Sequence, residues 1–414
     1  MTAQYVTDPL VHPAEAVENA RAHVTATALV PSPGGQVGLE LEFHLVDRRD
    51  PARRPDWPAV QALVAGLPPM PGGSRVTVEP GGQLELSTPP AAGVAPAVAA
   101  LRRDRATLRD ALAAAGYGTA VLGADPARPL RRVNPGARYV AMEQHFAGVG
   151  CAEPGRAMMT ATAALQVNLD AGPAQAWPER LELARLVGPV LVAISATSPY
   201  LAGRASGWAS MRQQAWHGIT GRTAPVPPGR PTAAWAEYAL AAPVMLVRDG
   251  ARVTPVTERV PFAAWLRGTA PFARRPTLAD LDYHLTTLFP PVRPRGYLEL
   301  RCLDAAPDEW WPALAAVAAT LLDDPIAATV AADACAPLDG RWMLAARSGL
   351  GDAQLRAAAV RCVSAAADRC PPELAADVGR LAELVAAGRS PGDEVRARID
   401  ADGPLAVLEE AARA

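Results

Sequence analysis

Val37-Gly38-Leu39-Glu40-Leu41-Glu42-Phe43-His44-Leu45 sets apolar residues at its odd positions and, from residue 40 on, Glu40, Glu42 and His44 at its even ones. Successive side chains of a β-strand point to opposite faces, so this pattern sends Glu40, Glu42 and His44 to one face and the apolar set into a core. The same split recurs in Gln83-Leu84-Glu85-Leu86-Ser87, in Leu165-Gln166-Val167-Asn168-Leu169-Asp170 and in Tyr297-Leu298-Glu299-Leu300-Arg301-Cys302. If these strands share a sheet, one face is apolar and the other gathers Glu40, Glu42, Glu85, Gln166, Asn168, Glu299 and Arg301. So many carboxylates pack together only at a cost unless cations neutralise them. Hard oxygen ligands in that number suit Mg²⁺, which commonly works with nucleotide phosphate.

Composition narrows the classes. The chain has 414 residues, half of them hydrophobic and a fifth charged, with a formal net charge of −2. That is a globular composition with a large core, and it carries no basic signature for nucleic acid or an acidic membrane. No lysine occurs, so any anion clamp is built from arginine, whose planar fork suits bidentate contacts. For the same reason there is no lysine-containing phosphate loop, and a nucleotide would be held by carboxylate-bound magnesium and by arginines. Cys151, Cys302, Cys335, Cys362 and Cys370 are scattered and form no C-x-x-C pair. This usage points to reduced thiols in the cytoplasm, with Cys362 and Cys370 as packing residues. Met1–Asn19 lacks the apolar stretch of a secretory signal. No uncharged apolar run reaches roughly 18 residues, so no membrane span is expected.

The pattern along the chain predicts a short helix over 13–30 and a strand–turn–strand over Arg75–Thr88 with Pro80-Gly81-Gly82 as the turn. Further helices are expected over 94–115, 177–196, 233–246 and 277–288, a strand over Thr119–Gly123, and a polar loop through Gly136. Residues 307–414 are alanine-rich with repeated helical periods. The expected class is α+β, an antiparallel sheet covered by helices, with 1–304 as the catalytic core and 305–414 as a helical C-terminal part.

Other residues carry possible chemistry. Glu79 adds a carboxylate beside the Gly81-Gly82 turn, where glycine lets the backbone approach a ligand closely. Arg138 is either a carboxylate clamp or a surface arginine, and Met158 and Met159 are either site or core. Arg212 and Trp216 stand four apart and share a face of a helical turn, either around a substrate carboxylate or as a packing pair. Cys302 faces the core in this register, and no acid–base partner for a nucleophile lies near it in sequence. His44 and His145 are either ligands or structural.

Six stretches in this order resemble the glutamate–cysteine ligases, the bacterial ergothioneine-pathway branch above all. They are G-L-E-L-E-F (38–43), E-P-G-G-Q-L-E-L-S (79–87), R-Y-V-A-M (138–142), M-M-T-A-T-A-A-L-Q-V-N-L-D (158–170), R-Q-Q-A-W with G-R-T (212–223) and L-E-L-R-C-L-D (298–304). The resemblance implies a glutamine-synthetase-like catalytic fold, an open antiparallel funnel with the site inside. It implies ATP-dependent joining of L-glutamate, through a γ-glutamyl phosphate, to L-cysteine. By this likeness Glu40, Glu42, Glu79, Glu85, Gln166 and Glu299 are magnesium ligands, and Arg301 and Glu299 act at the transferring phosphoryl group. Asn168, Arg222 and Arg301 serve the nucleotide, and Arg138, Tyr139, Met142, Arg212 and Trp216 the amino acids. Loops 124–137 and 221–232 are expected to roof the funnel and exclude water. The Arg212–Thr223 stretch lacks the acidic residues of the plant branch. The residues themselves leave two alternatives open: a ligase for another amine, and a catalytically silent nucleotide-binding paralogue.

Overall fold

The computed structural model describes residues 15–205 and 207–413. Most of the Met1–Asn19 stretch and the start of the helix expected over 13–30 therefore lie outside the described residues, while Ala16–Ala28 is helical. Twelve strands are present among the described residues. They are β1 (Gln36–Asp47), β2 (Arg75–Val78), β3 (Leu84–Ser87), β4 (Ala91–Ala92), β5 (Tyr117–Ala120), β6 (Ala164–Leu169), β7 (Tyr200–Leu201), β8 (Arg204–Ala205), β9 (Leu246–Asp249), β10 (Arg252–Pro255), β11 (Val292–Pro294) and β12 (Leu298–Asp304). β7–β8 and β9–β10 are separate two-stranded sheets.

The other eight form one sheet in the order β11-β12-β6-β1-β3-β2, with β4 and β5 pairing the two ends of β1. Every pair is antiparallel. Directly opposed residues share a face in such a ladder. Glu40 stands opposite both Ser87 and Gln166, Glu42 opposite Glu85, Glu299 opposite Asn168, and Arg293 opposite Glu299. The polar sets of four strands distant in sequence thus line one face, as their alternation requires.

Leu39, Leu41, Phe43, Leu84, Leu86, Leu165, Val167, Leu169, Leu298 and Leu300 occupy the other face and belong to one buried core. Helices Val94–Ala114, Trp177–Ser195 and Trp311–Asp323 cover that face with Leu101, Leu108, Val187, Leu191, Leu314 and Leu321. Burying one such leucine contributes about 1.5–3 kcal/mol, so a slip of one residue in register, which would swap the faces, is strongly disfavoured. After Asp304 the chain is helical to Ala411, and its first helices share this core. No single helix among the described residues is long and apolar enough to cross a membrane.

β12 departs from regular alternation. Leu300 pairs Val167 and Leu303 pairs Leu165, so Arg301 and Cys302 together oppose Gln166. This bulge keeps Leu303 on the core face and carries Asp304 to the opposite one.

Candidate active site

Over the polar face, helices Ala137–Gly148, Ala152–Ala161 and Met211–His217 enclose a pocket of about 370 Å³. Its floor is Glu40, Glu42, Glu85, Gln166, Glu299 and Arg301, and its rim includes Glu79, Arg75, Arg138 and Arg295. One wall is apolar: Met142, Met158 and Met159 pack with Tyr139, Trp216 and Phe289.

The carboxylates sit in two electrostatic settings. Glu42 accepts from the Ala164 N–H at 2.8 Å and the Gln166 amide at 3.3 Å. Burial, reinforced by Glu85, pushes its carboxyl up to about 7 against the pull of Arg212 and Arg301. Burial and then Glu85 also raise Glu40, which accepts from Asn168 Nδ2 at 3.0 Å, and raise Glu79 well above the ordinary range. Glu299 differs. Burial opposes its ionisation, but Arg293 and Arg301 dominate and hold it at about 2. Its Oε1 accepts from Arg293 Nη2 at 2.9 Å and lies 3.2 Å from Arg301 Nη1, while its Oε2 takes Arg293 Nε. Arg301 also donates to Gln166 Oε1. Its guanidinium lies against Trp216 and Phe289, and burial is outweighed by Glu299, Glu40, Glu42 and Glu85, which raise its pKa.

The turn that carries Glu79 at the rim is held by neighbouring backbone. The Val133 and Asn134 N–H groups donate to Pro80 O at 2.8 and 2.9 Å, and Gln83 Nε2 donates to Thr162 O at 2.9 Å. A Cβ on Gly81 would come within 2.2 Å of Thr160 O, so only glycine lets the turn lie this close.

Several candidates stand elsewhere. Arg222 is buried outside the pocket and donates to Thr287 O and Pro243 O at 2.9 and 2.8 Å. Arg212 lies beneath Arg301, donating from Nη2 to the Arg301 carbonyl at 2.8 Å. Asn168 does not line the pocket and meets it through Glu40. His44 is buried near Leu122 O, and His145 pairs with Val256 O, both away from the pocket. Neither 124–137 nor 221–232 lines it. The first loop backs the Pro80 turn, and residues 225–229 and 231 instead wall a separate apolar cavity with Trp342. Arg293, Arg295, Tyr297, Gln83, Arg75 and Phe289 join the pocket without having been singled out.

The carboxylate set bears on a metal. No group of three or more His, Cys, Asp or Glu side chains among the described residues is placed to hold a metal ion. Magnesium typically takes one or two carboxylates and completes its octahedron with phosphate oxygens and water. Glu40, Glu42 and Glu79 are each raised in pKa by burial and by a neighbouring carboxylate, so one or two of them could serve such an ion, and a cation would relieve their repulsion.

The sequence profile of glutamate–cysteine ligase family 2 (GCS2) matches residues 36–411. The chain belongs to that family. As a GCS2 member it is 53% identical over 401 residues to glutamate–cysteine ligase EgtA of Mycolicibacterium smegmatis, covering 96% of this chain and 95% of that one. It is 52% identical over 388 residues to EgtA of Mycobacterium tuberculosis, covering 92% and 90%. The GCS2 fold also matches the crystal structure of Francisella tularensis glutamate–cysteine ligase in complex with AMP. The TM-score is 0.60 at 13% identity, over 93% of this chain and 88% of that one.

Proposed function

We propose that this protein joins the γ-carboxylate of L-glutamate to the amine of L-cysteine at the expense of ATP, giving γ-glutamylcysteine for ergothioneine biosynthesis in the cytoplasm. The family membership and the near full-length identity to EgtA support the reaction. The observation that carries it to this pocket is the set of five glutamates, Glu40, Glu42, Glu79, Glu85 and Glu299, facing Arg293, Arg295 and Arg301 in one cavity. Phosphoryl transfer asks a protein mainly to position groups and neutralise charge, and this set does both without a nucleophile.

In this reading glutamate's γ-carboxylate attacks the terminal phosphorus of ATP and releases ADP. The cysteine amine then attacks the acyl carbon, and phosphate and a proton leave. Glu40, Glu42, Glu79 and Glu85 would hold magnesium, which when bound offsets phosphate charge. Glu299 already shares both oxygens with arginines, so its role is to hold Arg301 beside the phosphoryl group. Gln166 orients Arg301 from the other side. Arg138, Tyr139 and Met142 border the end of the pocket where the amino acids would bind, with Trp216 as an apolar wall.

The test is incubation of purified protein with ATP, magnesium and glutamate, with and without cysteine, following ADP and γ-glutamylcysteine together. Cysteine-dependent ADP with matching dipeptide is the expected result. ADP that depends on another amine would keep the acyl phosphate and reassign the acceptor; no ADP at all would overturn the reading.

A further inference from the structure

The bulge in β12 leaves the Arg301 and Cys302 carbonyls to be satisfied from outside the regular ladder. Two successive residues of one short helix do this. Arg212 Nη2 donates to Arg301 O at 2.8 Å, and Gln213 Nε2 donates to Cys302 O at 2.7 Å. The same helix is pinned at its start. Ser210 caps it by accepting from the Gln213 N–H at 3.1 Å and donates to Asp304 Oδ1 at 2.9 Å. Asp304 Oδ2 accepts from Ser198 Oγ at 2.6 Å, and Ser198 Oγ accepts from the Arg212 N–H at 3.1 Å. One turn beyond Arg212, Trp216 lies against Arg301, with 5.7 Å from the guanidinium carbon to the ring centroid. Helix and bulge are therefore tied together at several points, with the Arg301 guanidinium between them.

We infer that Gln213 is a positioning residue for phosphoryl transfer: its bond to the Cys302 carbonyl fixes the bulge that aims Arg301. Gln213 is half-buried, lies behind Arg301 and Trp216, and does not line the acidic pocket. Its effect on chemistry must therefore pass through Arg301. Misplacing an oriented group by about 1 Å can cost about a hundredfold in rate. Without its donor the Cys302 carbonyl loses one of the bonds that hold the bulge in place. The inference rests on the ligase reading above.

The test compares wild-type protein, Gln213→Leu and Asp352→Ala in the ADP and dipeptide assay with full titrations of ATP and glutamate, alongside urea midpoints. Gln213→Leu keeps the volume and removes the donor. Asp352 caps the Ala353–Arg369 helix and lines neither the acidic pocket nor the cavity beside Gln213, so its alanine variant reports a plain loss of stability. Gln213→Leu is expected to lose about tenfold or more in kcat with both KM values within about twofold, whereas Asp352→Ala keeps its kcat. A Gln213→Leu protein that loses midpoint as Asp352→Ala does yet keeps its kcat overturns the inference and leaves the ligase reading intact. Should Gln213→Leu not fold, Gln213→Asn, whose shorter arm does not reach Cys302 O, gives the same reading on kcat. Wild-type protein that makes no dipeptide overturns the ligase reading itself.

Discussion

Replacing Glu42 by glutamine is expected to stabilise the unliganded protein at pH 8 while abolishing turnover. The carboxyl of Glu42 is pushed from 4.5 to about 7, by burial first and by Glu85 second. Its pKa in the folded state lies above that in the unfolded chain, so the folded state binds more protons. The contribution is then favourable at low pH and is lost as pH rises from about 4.5 through about 7. The full shift corresponds to about 3 kcal/mol at pH 8. The carboxylate faces an open pocket, and solvent screening reduces this to about 1–2 kcal/mol. Glutamine keeps an acceptor for the Ala164 N–H, so the hydrogen bond at 2.8 Å need not be lost. At pH 5 Glu42 is neutral in the folded state, and the gain shrinks to about a quarter of its value at pH 8. Urea midpoints of wild type and Glu42→Gln at pH 5 and 8, with ADP release at pH 8, make the measurement. A variant less stable than wild type at pH 8, or a gain of equal size at both pH values, would refute the reasoning, as would retained turnover.

Two further outcomes follow from the same pocket. Glu299→Gln leaves Arg293, Arg295 and Arg301 around a neutral amide and is expected to cost about 3 kcal/mol at pH 7 together with activity; because the Glu299 pKa is depressed to about 2, the difference from wild type should shrink as pH falls from about 4.5 towards 2, and a pH-independent difference in midpoint would contradict the pairing. Gly81→Ala drives a Cβ to within 2.2 Å of Thr160 O and must displace the turn that carries Glu79, so a loss of about 1–3 kcal/mol with a fall in kcat is expected, and wild-type turnover would show that the turn tolerates the shift.

The acidic floor was legible because period-two alternation is a strong local signal. Glu40, Glu42, Glu85, Gln166 and Glu299 meet because each strand must bury its apolar half. The arginines were less legible. A guanidinium on a long arm goes to whichever acceptor the tertiary fold offers. For Arg222 these are the carbonyls of Thr287 and Pro243, and for Arg212 the carbonyl of Arg301. None of these three acceptors is adjacent in sequence. The bulge at Arg301 and Cys302 left only a faint trace, the two successive apolar residues Cys302 and Leu303 in L-E-L-R-C-L-D, and its place is fixed only by the pairing with β6. Arg293 sits on a strand of three residues that ends in proline, too short to announce a face.

The lysine-free composition has a chemical consequence at this site. An acyl phosphate is an electrophile that reacts with amines, and a lysine within reach would compete with the incoming amine and leave the protein acylated. The pocket draws its positive charge from Arg75, Arg138, Arg293, Arg295 and Arg301. Guanidinium groups stay protonated in proteins and offer no free electron pair. The Cys302 thiol beside Arg301 is silent as well, because burial pushes it up to about 12 and so leaves almost no thiolate at neutral pH. In the proposed reaction the pocket would therefore stabilise a reactive carbonyl with charged side chains that the carbonyl does not modify, which leaves the substrate amine and water as its outlets.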